Sequence, residues 1–502
     1  MEAISSMRPA LIVGVSAVLG LLFDYFFFGQ IPGIGFTVFV AAIVIGFIAI
    51  SMYSDKPLKK DFYWLFPLLL FFALMVAIRS NLLLTALNVV GCALLLLLIV
   101  EVNVRDTVRS FIPTDYLKLL FPPYKFVDPL LKTLSDVLSK GKQYKDHKKA
   151  GQVIRGIAIT APIVILFTIL LSSADPIFGE YFSVFNVNFD GEIVFRIFLG
   201  AAVAIICVGA YSYAMFGTPE AQSQQAGKRD FGLIETTILL GSINVLFFAF
   251  ILVQTTYLFG GEANIISHGM TYAEYARRGF FELVAIAVLS YLILLATEKY
   301  IERNVEEHSK QFKILSTVLV LQLAVLMVSA FLRLSLYEET YGFTTLRVYV
   351  HAFIVFMGVI FSFLLYKILI ENKDNTFAFR VFLAIVVFVA GMNLFNPDAF
   401  IAQKNIERYE ATGKLDAEYI SYLSADATET KLRVLEIDNP DIQGVIGRSL
   451  YESHEYYSRN EQPWQSWNFA RENERRLLKE NADKLGLYRN YEARRGEVIV
   501  ED

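Results

Sequence analysis

Residues 81–101 read NLLLTALNVVGCALLLLLIVE, an apolar run whose first charged residue is its last, Glu101. An α-helix rises about 1.5 Å per residue, so about 20 such residues cross a hydrocarbon core of about 30 Å. The run therefore predicts a transmembrane helix. Similar runs fill residues 9–395 and then stop. This pattern predicts an all-α fold, namely a polytopic helical membrane protein with about eleven transmembrane helices and a C-terminal soluble α-helical domain. The predicted spans lie near 9–28, 31–52, 62–78, 81–101, 154–174, 192–216, 232–259, 279–297, 313–336, 345–370 and 377–395.

The composition agrees with this class. Hydrophobic residues make up 55% of the chain and charged residues 19%, which excludes an ordinary soluble domain. The two cysteines, Cys92 and Cys207, fall inside predicted spans, so we expect no disulfide framework. The first apolar run follows Arg8 and has no small-residue cleavage site after it. We therefore expect an uncleaved first span rather than a signal peptide.

Lysine and arginine in the connections predict the orientation, because cytoplasmic loops carry an excess of both. The connections after every second span are basic, whereas the opposite loops hold only Arg79, Arg277 and Arg278. With the N-terminus in the cytoplasm, all the basic connections become cytoplasmic and residues 396–502 lie outside the membrane. The basic connections contain Lys56, Lys59, Lys60, Arg105, Arg109, the stretch 118–149, Lys228, Arg229, Lys299, Arg303, Lys310 and Lys373.

We divide the chain into four parts. Residues 1–101 hold spans one to four, 102–150 form a cytoplasmic linker, 151–395 hold spans five to eleven, and 396–502 form an extracytoplasmic α-helical domain. Apolar residues recur at helical spacing in the linker, and Pro129 suits the first turn of such a helix. These apolar residues are Val127, Leu130, Leu131, Leu134, Val137 and Leu138.

Two interpretations of the linker stay open. The helix could lie in the headgroup plane, with its lysine-rich trailer on anionic lipid. Alternatively, the linker fixes topology and simply docks on the helix bundle. The lysines concerned are Lys140, Lys142, Lys145, Lys148 and Lys149.

The C-terminal part reads as short helices separated by caps and turns. Asp398 and Asp416 are placed to cap helices, and Gly413 sits where the first should end. Asp426, with Glu429 three residues on, matches a capping box. Exposed aromatics such as Trp464, Trp467, Tyr456 and Tyr457 suit partner binding, unless they form this part's own core.

Ionisable residues inside spans are the best indicators of a site, since each costs about 2.5–3.5 kcal/mol at the centre of the bilayer. Seven of them lie in the outer half of their spans: Asp24, Asp175, Arg196, Glu282, Arg333, Arg347 and His351. On the inner side we find mainly Glu101, Arg155 and Glu235, each close to its interface. One interpretation is a polar chamber roofed by the C-terminal domain. Three arginines would then bind a phosphate or carboxylate headgroup, and Glu282 or Asp24 would act as acid or base. The other interpretation is that these residues pair with each other or reach the headgroups.

The sequence lacks the common catalytic and metal-binding motifs. There is no HExxH, no metal-binding spacing among the five histidines, no phosphate-binding glycine loop, no dinucleotide fingerprint and no GxSxG. We therefore predict no metal, no cofactor and no nucleic-acid partner.

Three segments resemble a bacterial family, domain-of-unknown-function family 4173, and its 4153-type relatives. They are Ser173–Phe178, Thr271–Val284, and the stretch from Asn396 to Asp426. In the second segment, Glu274 and Arg278 stand four residues apart, the spacing of a helical ion pair, and we count both among the candidate binding residues. The resemblance implies a bacterial multi-pass inner-membrane protein. It carries over no catalytic residue.

Three functions compete. The first is a scaffold or sensor whose C-terminal helical domain binds a protein partner. The second is a membrane-embedded transferase or lipid-handling protein that uses the outer arginine and carboxylate cluster. The third is a secondary transporter, disfavoured because the charges avoid the midplane. A cavity converging on the arginines favours the second, and mutually paired charges favour the first.

Overall fold

The computed structural model describes residues 2–121, 123–139, 191–218, 233–258, 280–300 and 306–491, and within these ranges the chain forms helices and no strand. The helices of the apolar region are α1 (Glu2–Phe27), α2 (Ile34–Tyr53), α3 (Phe62–Ile78), α4 (Leu82–Arg105), α5 (Pro113–Lys118), α6 (Pro123–Ser139), α7 (Gly191–Phe216), α8 (Leu233–Leu258), α9 (Phe280–Tyr300), α10 (Glu306–Tyr341), α11 (Thr345–Leu369) and α12 (Asp374–Phe395). The C-terminal helices are α13 (Pro397–Thr412), α14 (Ala417–Ser421), α15 (Thr428–Val434), α16 (Pro440–Arg459), α17 (Phe469–Glu480) and α18 (Ala482–Gly486).

Eight of the described helices are long and apolar enough to cross a membrane. They are α1, α2, α4, α7, α8, α10, α11 and α12. Helix α3 is equally apolar but has only 17 residues, and α9 carries three charged residues within its 21. Each predicted span in the described ranges coincides with one helix, while the span predicted at 154–174 lies outside them.

The apolar helices form two packed groups. The first core is built from α1 to α4, α6 and α7, and the second mainly from α8 to α11, with Phe377 of α12. In the first group α1 and α7 cross closely at two glycines. A Cβ built on Gly20 would lie 2.4 Å from the carbonyl oxygen of Gly200. Only glycine permits this approach, as at the small-residue crossings of other membrane helices.

Helix α6 of the linker packs on α7 and α1. Phe126 lies over Gly209, and the hydroxyls of Thr133 and Ser212 are 2.7 Å apart. The helix begins at Pro123, so the prediction that Pro129 stands in its first turn is wrong. Its described part therefore docks on the bundle. Lys140, Lys142, Lys145, Lys148 and Lys149, predicted to contact anionic lipid, lie outside the described residues.

The C-terminal segment, residues 396–491, has its own apolar core. Its first helix is capped by the Asn396 side chain, which accepts from the backbone NH of Ala399, and ends at Gly413 with a φ of 72°. Asp416 caps α14 as expected. The predicted caps at Asp398 and Asp426 are wrong, because neither side chain caps its helix. Both carboxylates reach the apolar helices instead.

Candidate functional site

The C-terminal segment packs against one end of the apolar bundle. Its contacts are with the turns that join α1 to α2, α3 to α4, and α10 to α11. We call this end, marked by Phe27, Ile78 and Tyr341, the tail side, and the opposite end the far side. These turns supply the backbone groups that the segment binds.

Asp426 is the centre of the contact with the α3–α4 turn. Its Oδ2 accepts from the backbone NH of Ser80 at 2.6 Å, from the Ser80 hydroxyl at 2.8 Å and from the NH of Asn81 at 3.0 Å. Its Oδ1 accepts from Nη1 of Arg79 at 3.3 Å. The Asp426 side chain is only 2% exposed, so a buried charge is fully hydrogen-bonded here. Charge-assisted bonds of this kind are about twice as strong as neutral ones.

A second carboxylate, Asp398, continues this contact. It accepts from the side-chain amide of Asn81 at 2.8 Å and from the backbone NH of Ser424 at 3.1 Å. Asp398 lies in the first turn of α13, whereas Ser424 lies after α14, two residues before Asp426. Asn81 therefore joins both acids. Its own Oδ1 accepts from the NH of Leu84 and caps α4.

Two buried asparagines extend the polar contacts below the turn. Asn88 of α4 and Asn393 of α12 exchange reciprocal amide hydrogen bonds of 2.8 Å, and both are fully buried. Nε of Arg79 donates to the carbonyl of Asn393 at 2.7 Å. Unpaired amides are costly in hydrocarbon, so this pair fixes how α4 meets α12. We call Arg79, Ser80, Asn81, Asp398 and Asp426 the junction.

The α1–α2 turn receives a short stretch of the segment, residues 463–468. The backbone NH of Ile34 donates to the carbonyl of Trp467 at 2.8 Å, and the NH of Ile31 donates to the Ser466 hydroxyl at 3.2 Å. A Cβ on Gly33 would lie 2.4 Å from the Trp467 oxygen, so the two backbones are in direct contact. Nδ2 of Asn468 donates to the carbonyls of Val76 and Arg79, which ties this stretch to the junction.

The α10–α11 turn makes the third contact. Asn405 accepts from the backbone NH of Phe343 at 2.9 Å and donates to its carbonyl at 2.8 Å. Arg408 donates to the carbonyls of Glu339 and Thr340. Desolvation by burial, together with the nearby charge of Arg347, lowers the pKa of Arg408. Three turns from different parts of the bundle are thus held by one segment.

Two of the predicted site residues form a pair. Both carboxylate oxygens of Asp24 accept from Arg196, at 2.8 Å each, in a bidentate ion pair between α1 and α7. The guanidinium also lies 4.6 Å from the ring centroid of Phe28. This pair lies one turn from the Gly20–Gly200 contact, on the tail side. It belongs to the first group of helices, apart from the other predicted residues.

Arg333 lies in α10, and Arg347 and His351 lie one turn apart in α11, all toward the tail side. Nδ1 of His351 is 3.0 Å from Oε2 of the buried Glu338, while Nε2 is 3.2 Å from the Phe331 carbonyl and 3.3 Å from the Ser335 hydroxyl. Ser335, His351 and Glu338 thus line up like the residues of a hydrolytic triad. However, the Phe331 carbonyl also accepts from Ser335 at 3.0 Å. A hydrogen on Nε2 completes the bond to Phe331 and leaves no lone pair to activate the serine.

The Arg347 guanidinium contacts residues at the end of α10. Its Nη1 donates to the carbonyl of Gly342, and its guanidinium lies 3.9 Å from the Tyr337 ring centroid. Glu282 is exposed in the first turn of α9, away from these contacts. Asp175, Glu274 and Arg278, also predicted as binding residues, lie outside the described residues. Of the predicted set, the structure pairs Asp24 with Arg196 and places Arg347 and His351 one turn apart in α11.

The far side contains buried ion pairs that sequence reasoning did not predict. Lys367 of α11, 2% exposed, contacts Glu298 of α9 and Asp374 of α12 at 2.6 Å each. Glu101 bonds Lys125 of the linker helix and lies 3.5 Å from Arg105. Sequence reasoning relied on depth in the span, and charges near a span end look like ordinary interface residues. The i,i+4 spacing of Glu101 and Arg105 was the one available signal.

Two small cavities lie in the described part of the chain. One of about 10 Å³ lies among Leu283, Met327 and Phe353, and another of the same volume adjoins Glu101 and Phe126. Each has room for about one water molecule. Among the described residues, no three His, Cys, Asp or Glu side chains are grouped to hold a metal ion.

The fold defines the class of this protein as a helical membrane protein with many apolar helices. The family described as domain of unknown function DUF4153 matches residues 66–433. The match covers most of the chain, so this protein belongs to the DUF4153 family. Of the two families that its motifs resemble, the match supports the 4153 type. Both sides of the junction fall within the match, whereas residues 463–468 lie beyond it. No curated protein and no solved structure matches the chain.

Proposed function

We propose that this protein is a scaffold or sensor of a bacterial cytoplasmic membrane, with its C-terminal helical segment outside the cytoplasm as the interaction module. The observation that carries the proposal is the junction. The carboxylates of Asp426 and Asp398 are buried and accept hydrogen bonds from the α3–α4 turn, so the segment is fixed to the helices. A partner that binds the segment would therefore act directly on the α3–α4 and α10–α11 turns.

Charge pairing supports this function over a chemical one. Asp24 holds Arg196, Glu338 holds His351, and Arg347 is bonded to Gly342. A catalytic chamber needs groups that can turn to a substrate, and these groups already have protein partners. The predicted division into 1–101, 102–150, 151–395 and 396–502, the count of eleven spans and the predicted orientation are part of this proposal.

The orientation can be tested with single cysteines. Ser458 is exposed in α16 of the segment, and Lys60 is exposed on the far side. Cys92 and Cys207 are buried and give little background. On intact cells, an impermeant maleimide should label Ser458→Cys and leave Lys60→Cys unlabelled until lysis. The reverse pattern would place the segment in the cytoplasm and end this part of the proposal.

The interaction role needs a separate experiment. A photo-crosslinking residue at Tyr456, which is 50% exposed, should give one discrete protein adduct in cells. The same residue at Val245, which is 71% exposed on an apolar helix, should give lipid adducts only. Adding Asp426→Asn should change the Tyr456 adduct if the segment must be docked to act. Absence of a protein adduct at Tyr456, and likewise at Tyr422, would count against a scaffold.

A second candidate function is a membrane-embedded transferase or lipid-handling protein with an outer-leaflet arginine and carboxylate site. The tail-side position of Arg333 in α10 and of Arg347 in α11 favours it, because guanidinium groups suit phosphate headgroups. Native mass spectrometry of the purified protein should then show a bound anionic lipid that Arg347→Ala removes. Glu282→Gln and Arg333→Ala should also abolish any lipid-dependent activity without affecting insertion. A secondary transporter remains third, since the predicted site residues stay near the tail side.

A further inference from the structure

We propose that Trp464, Trp467 and Phe469 form an anchor in the membrane interface, by which the C-terminal segment rests on the lipid headgroups. We call these three residues the aromatic anchor. The inference concerns a lipid-binding surface and goes beyond the scaffold function, since it holds for either orientation of the protein.

The position of the aromatic anchor relative to the bilayer follows from its backbone contacts. Ile34 is the first residue of α2, and its NH donates to the Trp467 carbonyl. Nη2 of Arg471 donates to the carbonyls of Pro32 and Ser466, at 2.9 and 2.7 Å. Residues 463–468 are thus fixed level with the ends of α1 and α2. The apolar part of both spans ends at this level, where the headgroup region begins.

The side chains of the anchor face outward. Trp464 is 52% exposed, Trp467 42% and Phe469 57%. Large apolar surfaces exposed together indicate an interaction site. Trp and Tyr are enriched where hydrocarbon meets water, because an apolar ring carries one polar group there.

The exposed patch is continuous with the lipid-facing side of α1. Nε1 of Trp464 donates to the Tyr25 hydroxyl at 3.2 Å, and its ring meets Phe26 edge-on at 5.7 Å. Tyr25 is itself 52% exposed, and Leu21, one turn below, is 75% exposed. A surface that continues an exposed apolar stripe of a spanning helix is covered by the same lipid. This continuity favours lipid over a protein partner as the occupant.

The chain offers a direct test, because it contains only three tryptophans. Trp64, the third, lies at the start of α3 on the far side, against Phe379 and Phe382. In a Trp64→Phe protein, the tryptophan fluorescence therefore comes only from Trp464 and Trp467 of the anchor. The protein would be reconstituted in phosphatidylcholine vesicles that carry a quencher either on the headgroup or as bromine near the middle of the acyl chain.

We expect strong quenching from the headgroup position, less from the mid-chain bromine and little from aqueous iodide. Strong quenching by iodide without quenching by either lipid would overturn the proposal, because the anchor would then face water. Insensitivity to all three would also overturn it, since protein would then cover the rings. Trp464→Phe/Trp467→Phe, which keeps only Trp64, is the matched control. Subtracting its signal from that of the unmodified protein gives the same answer if Trp64→Phe does not fold.

Discussion

Oδ2 of Asp426 accepts two hydrogen bonds from Ser80, at 2.6 Å from its backbone NH and at 2.8 Å from its hydroxyl, although 346 positions separate the two residues. Asp426 belongs to the C-terminal segment and Ser80 to a turn between two apolar helices. The same carboxylate also faces Arg79. A soluble-looking segment is thus fixed to the bundle by a buried charge, and the segment's position depends on that charge.

Asp426→Asn should detach the segment from the α3–α4 turn. The amide keeps the shape of the side chain but removes the ion pair to Arg79 and turns one acceptor into a donor that faces NH groups. Breaking a buried pair of this kind costs about 3–5 kcal/mol. Hydrogen exchange in α13 and α15 should therefore speed up, with little change in α8 and α10.

The matched control for this variant is Asp438→Asn, an exposed aspartate of the same segment. It should leave hydrogen exchange unchanged. Equal exchange rates in the two variants would show that the junction does not hold the segment.

The limits of sequence reasoning are clear at this junction. The length of the apolar run predicted a span at 81–101, and α4 covers Leu82–Arg105. Caps are local patterns, so Asp398 and Asp426 were assigned to their own helices. Their true partners, Asn81 and Ser80, lie more than 300 positions away. Asn396, two residues before Asp398, is also a residue type that favours the N-cap, and its side chain is the one that caps α13.

The charged residues show the same limit. Depth in the span placed Asp24 and Arg196 in the same half of the membrane, but only the crossing of α1 and α7 makes them partners. Lys367 and Glu298 were missed because each lies near the end of a span, where a charge needs no partner. Pairing depends on which helices are neighbours, and periodicity within one helix carries no information about that.

The ion pair between Asp24 and Arg196 should show coupling in a double-mutant cycle. Asp24→Ala or Arg196→Ala alone leaves one charge facing hydrocarbon, whereas the double variant removes both. We expect an interaction energy of about 2 kcal/mol from unfolding in mixed detergent micelles. Purely additive effects would show that each residue reaches headgroups or water independently.

The contact between Gly20 and Gly200 should tolerate no side chain. A Cβ on Gly20 would lie 2.4 Å from the Gly200 oxygen, which is backbone and cannot turn aside. Gly20→Ala should therefore push α1 from α7 and lower the free energy of unfolding by about 1–3 kcal/mol. It should also weaken the Asp24–Arg196 pair one turn away.

Gly14→Ala on the same helix provides the comparison for this variant. A Cβ on Gly14 meets nothing within 4 Å, so alanine there should be neutral or slightly stabilising. If both variants were equally unstable, loss of glycine flexibility rather than the close crossing would be the cause.

Lys431 should make the stability of the C-terminal segment depend on alkaline pH. The side chain is 4% exposed, with its ammonium bonded to the carbonyls of Ser421 and Leu423, and burial lowers its pKa from 10.5. Between the lowered pKa and 10.5, the unfolded state binds the proton more often than the folded state. The free energy of unfolding therefore rises with pH in that window, because the cost of burying the charge is relieved.

Lys431→Gln keeps a donor for the two carbonyls but does not titrate, so it isolates this effect. Partly buried Tyr457, whose pKa is raised by desolvation and by Glu474, keeps its proton in the folded state and titrates from 10.0 upward when unfolded. Measurements are best made between about pH 8 and about pH 9.5, where that contribution is small. Unfolding free energies of the two proteins should diverge in favour of the wild type as the pH rises across this range. A constant difference would mean that Lys431 keeps its proton throughout, and that its two carbonyl partners fully offset the cost of its burial.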